Sequence, residues 1–272
     1  MSMKLSIVLS AQPAQFEAAT FKGDLDINLA RIASLGYDGV ELAIRAPKLV
    51  DLDELDRLVS RHNLTVPAIG TGQAWGEEGL SFTDPDPCVR RAATERILSH
   101  APAAERFKAI IIIGLVRGIV RPGVDHARAM DWLVDALREC CASLALYGVR
   151  LALEPINRYE TTLINNVTQG LELIERVGAA NLGLLLDTFH MNIEEPSMED
   201  SIRQSGNRTF HFHVADSNRW HPGAGHLDFR SLLKTLFAAG YTGFVSGEFI
   251  PAPDAATGAE KAIRHLRAIS LQ

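Results

Sequence analysis

Four successive apolar runs in this sequence end on a residue able to hold a cation or move a proton. RLALEP stops on Glu154, GLLLD on Asp187, FHFHV closes on His213 and GFVSGE on Glu248. Three carboxylates, delivered with one imidazole to one rim of an apolar core, repel one another unless a cation lies between them. A ligand set rich in oxygen with one nitrogen suits a hard or borderline divalent ion. Mn²⁺, Mg²⁺ or Co²⁺ fits such a set; zinc is less natural. For any one acid alone a solvated strand end or a helix N-cap is the simpler explanation, and it is the succession of four that points to a site.

The elements that must position these residues alternate strictly. Strands are expected at Lys4 to Leu9, Gly39 to Ala43, Val66 to Gly70, Ala109 to Gly114, Arg150 to Glu154, Leu182 to Asp187, Thr209 to His213 and Gly243 to Glu248. Helical periodicity fills Asp24 to Leu35, Asp53 to His62, Pro87 to Phe107, His126 to Tyr147, Val167 to Val177, Asp228 to Ala239 and Thr257 to Leu271, with a short helix in PSMEDSIRQSG. SLGYDGVEL, LYGVRLALE, RVGAANLGLLLD and AAGYTGFVSGE each close a helix on glycine before a strand begins, as left-handed C-caps do. Strands separated by helices pair in parallel through right-handed crossovers, and eight such units in 272 residues predict one α/β domain over 1–272, a closed (β/α)8 TIM barrel. An open doubly wound sheet is disfavoured because no GxGxxG follows the first strand. In a barrel, chemistry gathers at the carboxyl ends of the strands, where the four residues fall.

Composition narrows the partners. The formal net charge is −6, leaving no basic surplus for a nucleic-acid backbone or an anionic membrane, and a small polar substrate is expected. The three cysteines, Cys88, Cys140 and Cys141, lack CxxC spacing, and the sequence reads as cytoplasmic, with no membrane span and no targeting segment. His211, two residues before His213 on the same strand face, is expected as a hydrogen-bonded neighbour or a core residue, and His62, His100, His126 and His265 as surface residues. From Gly70 to Phe82 a glycine-rich loop is expected to serve as a connection or a lid, with Trp75 as its apolar cover.

EPINRYET, LLLDTFHMNIEE, HFHVADSNRWHPGAGHLDF and the closing GE are similar to the xylose isomerase-like superfamily, specifically to metal-dependent ketose 3-epimerases of the tagatose and psicose type. FKGDL, AIGTGQAW, IIIGLVRG and HVADSNRW resemble most closely the branch acting on 5-keto-L-gluconate in inositol catabolism. The resemblance spans essentially the whole chain. It implies that Glu154, Asp187, His213 and Glu248 ligate one divalent ion, Mn²⁺ foremost, and that Glu160, His190 and Arg219 hold the oxygens of the first sugar carbons. By family analogy it also implies a homo-oligomer, dimer or tetramer. Psicose-type enzymes carry an aromatic residue near the end of strand four, where this chain has Arg117. Together with Arg45 and Arg219, that arginine suggests a carboxylate on the substrate, a keto-sugar acid rather than a plain ketohexose; for Arg45 and Arg117 the competing reading is an internal salt bridge.

The expected reaction inverts the carbon beside a carbonyl through an enediolate, with Glu154 and Glu248 as the two acid/bases. An aldose-ketose isomerase such as hydroxypyruvate isomerase, and more remotely a sugar-binding protein without turnover, remain as alternatives. An endonuclease IV-like enzyme would want a histidine-richer zinc cluster and a basic groove.

Overall fold

The computed structural model describes residues 3–270. Eight parallel strands close into a barrel in sequence order: β1 (Lys4–Ser10), β2 (Glu41–Ala43), β3 (Ala68–Gly70), β4 (Ile110–Ile113), β5 (Leu151–Leu153), β6 (Leu182–Asp187), β7 (Thr209–Val214) and β8 (Phe244–Gly247), with β8 pairing back onto β1. Around them lie α1 (Leu25–Ser34), α2 (Leu52–Arg61), α3 (Gln73–Glu78), α4 (Pro87–Leu98), α5 (Ala101–Phe107), α6 (His126–Ala145), α7 (Val167–Val177), α8 (Thr188–Glu194), α9 (Met198–Ser205), α10 (Phe229–Ala238) and α11 (Ala255–Ser270). The predicted TIM barrel is the fold observed.

Burial on both faces explains why the strands read as unbroken apolar runs: all four isoleucines of β4 and all six residues of β6 are buried between barrel interior and helices. The helices instead bury one stripe. In α6, Ala129, Leu133, Ala136, Leu137, Cys140, Cys141 and Leu144 recur at three- and four-residue spacing toward the barrel, and Asp125 caps the first turn by accepting from the Arg128 amide at 2.8 Å. The two neighbouring cysteines are thus core residues.

Three local expectations change. The stretch Pro87 to Phe107 is two helices, α4 and α5, because Pro102 lacks an N–H and its ring would clash with the carbonyl of Leu98 in a continuous helix. The glycine-rich segment after β3 contains helix α3, closed by Gly79 in the left-handed conformation at φ 69°. His190 lies in helix α8, an element absent from the expected set, since Asp187 caps that helix directly at the end of β6.

One irregularity of the sheet bears on the site. Between β6 and β7 the register runs Leu184 to Thr209 and then Leu185 to His211, a bulge at Phe210. Beyond it Asp187 faces His213, and His213 in turn faces Ser246 of β8. A bulge re-aims the side chains that follow it.

Candidate metal and substrate site

The four strand-end residues converge. One ligand atom from each of Glu154, Asp187, His213 and Glu248 lies within 4.8 Å of the others. Glu154 Oε1, Asp187 Oδ2 and His213 Nδ1 are shut off from solvent and have no hydrogen-bond partner in the protein. Buried polar atoms are almost always paired, so three orphans aimed at one point call for a ligand that accepts lone pairs. The donor set fits a divalent ion. Asp187 serves two tasks: Oδ1 accepts from the Phe189 amide at 2.8 Å and starts α8, while Oδ2 is the orphan.

Burial and mutual repulsion shape the charges. Burial, then the charge of Glu248, pushes the Glu154 carboxyl well above the usual range. Burial also raises Asp187, to about 6, against the pull of His213. For His213 burial favours the neutral ring, yet the carboxylates of Glu41 and Glu248 outweigh it and raise its pKa well above the ordinary value.

The cluster opens into a cavity of about 320 Å³, lined among others by Phe16, Gln73, Glu77, Glu160, His190 and Arg219, at the small end of the range for small-molecule sites. His190 reaches it in a defined tautomer. The Asn157 side-chain oxygen Oδ1 accepts from the Tyr159 amide at 3.0 Å, so its NH₂ faces His190 Nδ1 at 2.8 Å and donates there. Nδ1 is an acceptor and Nε2 carries the proton, 3.8 Å from Glu154 Oε1 and 3.9 Å from Asp187 Oδ2. Burial, reinforced by the nearby Arg219, keeps this ring neutral. Asn157 also donates to Glu160 Oε1 at 2.9 Å, and Arg219 donates to the same oxygen at 2.9 Å. The guanidinium of Arg219 lies over the rings of Phe189 at 4.7 Å and Phe16 at 5.7 Å.

Arg219 is carried by a loop built around Asp216. That carboxylate accepts from the amides of Ser217 at 2.8 Å, Gly223 at 2.8 Å and Leu227 at 3.2 Å. Gly225 must be glycine here, because a Cβ would come within 2.2 Å of Asp216 Oδ1.

Three expected substrate contacts fall elsewhere. Arg117 is fully buried and lines no part of the cavity; its guanidinium donates to the carbonyls of Gly114, Leu163, Ile164 and Glu154. Four of its five N–H donors are committed to backbone carbonyls and it stands outside the cavity wall, so it is not placed to take a substrate carboxylate, and the competing salt-bridge reading does not hold for it either. Arg45 does form ion pairs, with Glu77 and with Glu78 at 3.3 Å. Trp75 turns from the cavity and lies beneath Arg121 at 5.2 Å, while Thr71, Gly72, Gln73, Gly76 and Glu77 supply the wall. Of the histidines taken as surface residues, His126 is exposed, but His100 is fully buried between the carbonyls of Arg96 and Ile44. His211 bonds Glu41, a residue the strand-end reading passed over because it lies inside VELA rather than at a strand's end. Asn157 was passed over as well; its only signal was its place beside Glu160 in EPINRYET.

A family model described as "Xylose isomerase-like TIM barrel" matches residues 29–269. Among curated proteins, the L-ribulose 3-epimerase of Mesorhizobium japonicum is 31% identical over 241 residues, 86% of this chain and 78% of that protein. The D-psicose 3-epimerase of Ruminiclostridium cellulolyticum is 29% identical over 83% of this chain and 78% of its own length. Among solved structures, an L-ribulose 3-epimerase superimposes with a TM-score of 0.85 at 25% identity, covering 99% of this chain and 95% of that one. A 3-keto-D-glucoside 4-epimerase from E. coli reaches a TM-score of 0.81 at 23% identity, covering 98% and 100%.

Proposed function

The chain belongs to the xylose isomerase-like TIM barrel family, and from that premise we propose that it is a divalent-metal-dependent epimerase inverting the carbon beside the carbonyl of an uncharged ketose. The observation that carries this reading is the convergence of the three orphaned donor atoms with Glu248 at the floor of a sugar-sized cavity. Glu154, Asp187, His213 and Glu248 would hold the ion, Mn²⁺ by preference. When bound, it supplies Lewis-acid polarisation of the substrate carbonyl, which makes the neighbouring C–H acidic enough to ionise. Glu154 and Glu248 both line the cavity; in this reading one removes the proton and the other returns one to the opposite face. His190 offers its Nε2–H to a substrate oxygen, and the Glu160–Arg219 pair orients the neighbouring hydroxyls. Residues 1–272 act in this reading as a single domain.

Cavity charge favours a ketose over a keto acid. Arg219 is the one arginine among the described residues of the wall and is already paired with Glu160, while Glu41 and Glu77 are taken up by His211 and His213 and by Arg45, so the wall offers a substrate carboxylate no uncommitted arginine. Arg117, the expected carboxylate partner, is spent on backbone. Turnover of fructose, psicose and tagatose should therefore exceed that of a keto-hexonate; the reverse order would restore the acid.

Glu154→Gln and Glu248→Gln should each fold and lose activity by about 10²- to 10⁴-fold, the usual worth of a positioned acid/base. Near-normal rates in both would discard the assignment. NMR of products formed in D₂O separates epimerisation from aldose-ketose isomerisation, which would place the carbonyl on the adjacent carbon. Retained metal and sugar binding without turnover of any substrate would indicate a binding protein.

A further inference from the structure

Glu41 enters the barrel from β2, separated from β7 by the two strands β1 and β8 of the closed sheet, and is 1% exposed. Its Oε2 contacts His211 Nε2 at 2.8 Å and His213 Nε2 at 2.9 Å, and its Oε1 contacts His213 Nε2 at 3.1 Å. Its ion-pair partners among the described residues are these two imidazoles alone. The rings stand edge to face, 5.2 Å apart and 78° to each other, so one carboxylate bridges two rings presented by alternate residues of one strand.

We propose that Glu41 is a positioning residue for the cation site, acting through His213. A carboxylate can only accept hydrogen bonds, so His213 must donate from Nε2. A neutral His213 held this way keeps its lone pair on Nδ1, the orphaned atom that faces Glu248 Oε2 at 3.7 Å and the rest of the cluster. The contact selects the tautomer that can bind a metal, fixes the ring plane and makes the nitrogen more electron-rich. His211 is the other arm of the device: it anchors the carboxylate from the adjacent position on the same strand face, so Glu41 cannot swing away when His213 turns toward an ion. The proposal rests on the reading of Glu154, Asp187, His213 and Glu248 as metal ligands. The three groups Glu41, His211 and His213 are also close enough to be considered as a second cation site. Their contacts are all at hydrogen-bond length, which favours the bridge.

The test is calorimetric titration of Mn²⁺ into chelator-stripped wild type, Glu41→Gln, His211→Asn and Asp187→Asn. Glu41→Gln should weaken Mn²⁺ binding about 10- to 100-fold, and its turnover should recover as Mn²⁺ is raised, which a merely misfolded variant would not do. His211→Asn should weaken binding by a smaller factor. If Glu41→Gln does not yield folded protein, Glu41→Asp, whose shorter carboxylate cannot reach both rings, should show the same weakening. Wild-type affinity in Glu41→Gln, or in the substituting Glu41→Asp, while Asp187→Asn has lost binding, would overturn the proposal and leave the metal site standing. Wild-type affinity in Asp187→Asn would overturn the metal site itself, and Glu41's role with it. Two equivalents of Mn²⁺ per chain would replace the bridge with a second ion.

Discussion

Asp187→Asn should make the metal-free protein more stable while removing its response to metal. Asparagine caps a helix about as well as aspartate, so the bond from the Phe189 amide to Oδ1 survives. What the substitution removes is a buried negative charge. Burial, with the charge of Glu248 adding and His213 opposing, raises the Asp187 pKa from 3.8 to about 6. A carboxyl whose folded pKa lies above its unfolded one costs stability as pH rises between the two values, and the full cost applies above the higher one. Two units are worth about 3 kcal/mol, so at about pH 8 the chelator-stripped variant should exceed wild type by up to about 3 kcal/mol, or roughly 5–10 °C in Tm. At about pH 4.5 most of that gap should close. Mn²⁺ at about a thousand times its Kd should add about 4 kcal/mol to wild type and almost nothing to the variant, so the order inverts. Scanning calorimetry with and without chelator at the two pH values reads all four numbers. A stripped variant less stable than wild type at the higher pH, or a gap independent of pH, would refute the electrostatic reasoning.

Arg117→Met should cost about 3 kcal/mol in urea unfolding, because four carbonyls lose a charged donor at about 1–3 kcal/mol each while relief from burying an uncompensated cation offsets part of the loss. Arg117→Lys should not restore it, since a compact ammonium cannot span the same carbonyls; wild-type stability in either variant would refute the clamp. Arg219→Lys keeps the charge but loses the planar stack between Phe16 and Phe189, and kcat/KM should fall on the order of 10²-fold at unchanged Tm. Burial raises the Asp216 carboxyl, but amide hydrogen bonds from Gly225, Ser217, Leu227 and Gly223 overcome this and hold it below the usual range. Its contribution is present above the unfolded pKa and is lost as pH falls through the lower folded value. Asp216→Asn should therefore lower Tm near neutrality and shrink the difference in acid, and a constant difference would reject this account.

The barrel was legible because two-sided burial writes parallel strands as continuous apolar runs, and the strand-end residues because a charge interrupting such a run has few places to go. For Asp187 the helix cap does not exclude the site, as Oδ1 alone accepts from the Phe189 amide and Oδ2 is left without a hydrogen-bond partner. Arg117 shows the limit of reading residue type alone: an arginine beside an active rim suits an anion, and only the path of the 155–166 loop shows that backbone carbonyls reach it first. Glu41 lay hidden because its partners are 170 and 172 residues away, and no local pattern signals that separation. Helix α3 was obscured by glycines that are poor helix formers, held here by packing rather than propensity.

Arg219, itself carried after β7, brings its guanidinium to residues from three other segments: Phe16 after β1, Glu160 after β5 and Phe189 after β6. Barrels of this kind are often treated as modular, with each loop open to exchange between relatives. Here four βα segments share one keystone, so a chimera that imports a single segment would misplace a side chain contributed by another. Transplanting specificity into or out of this protein requires moving those segments as one inherited unit.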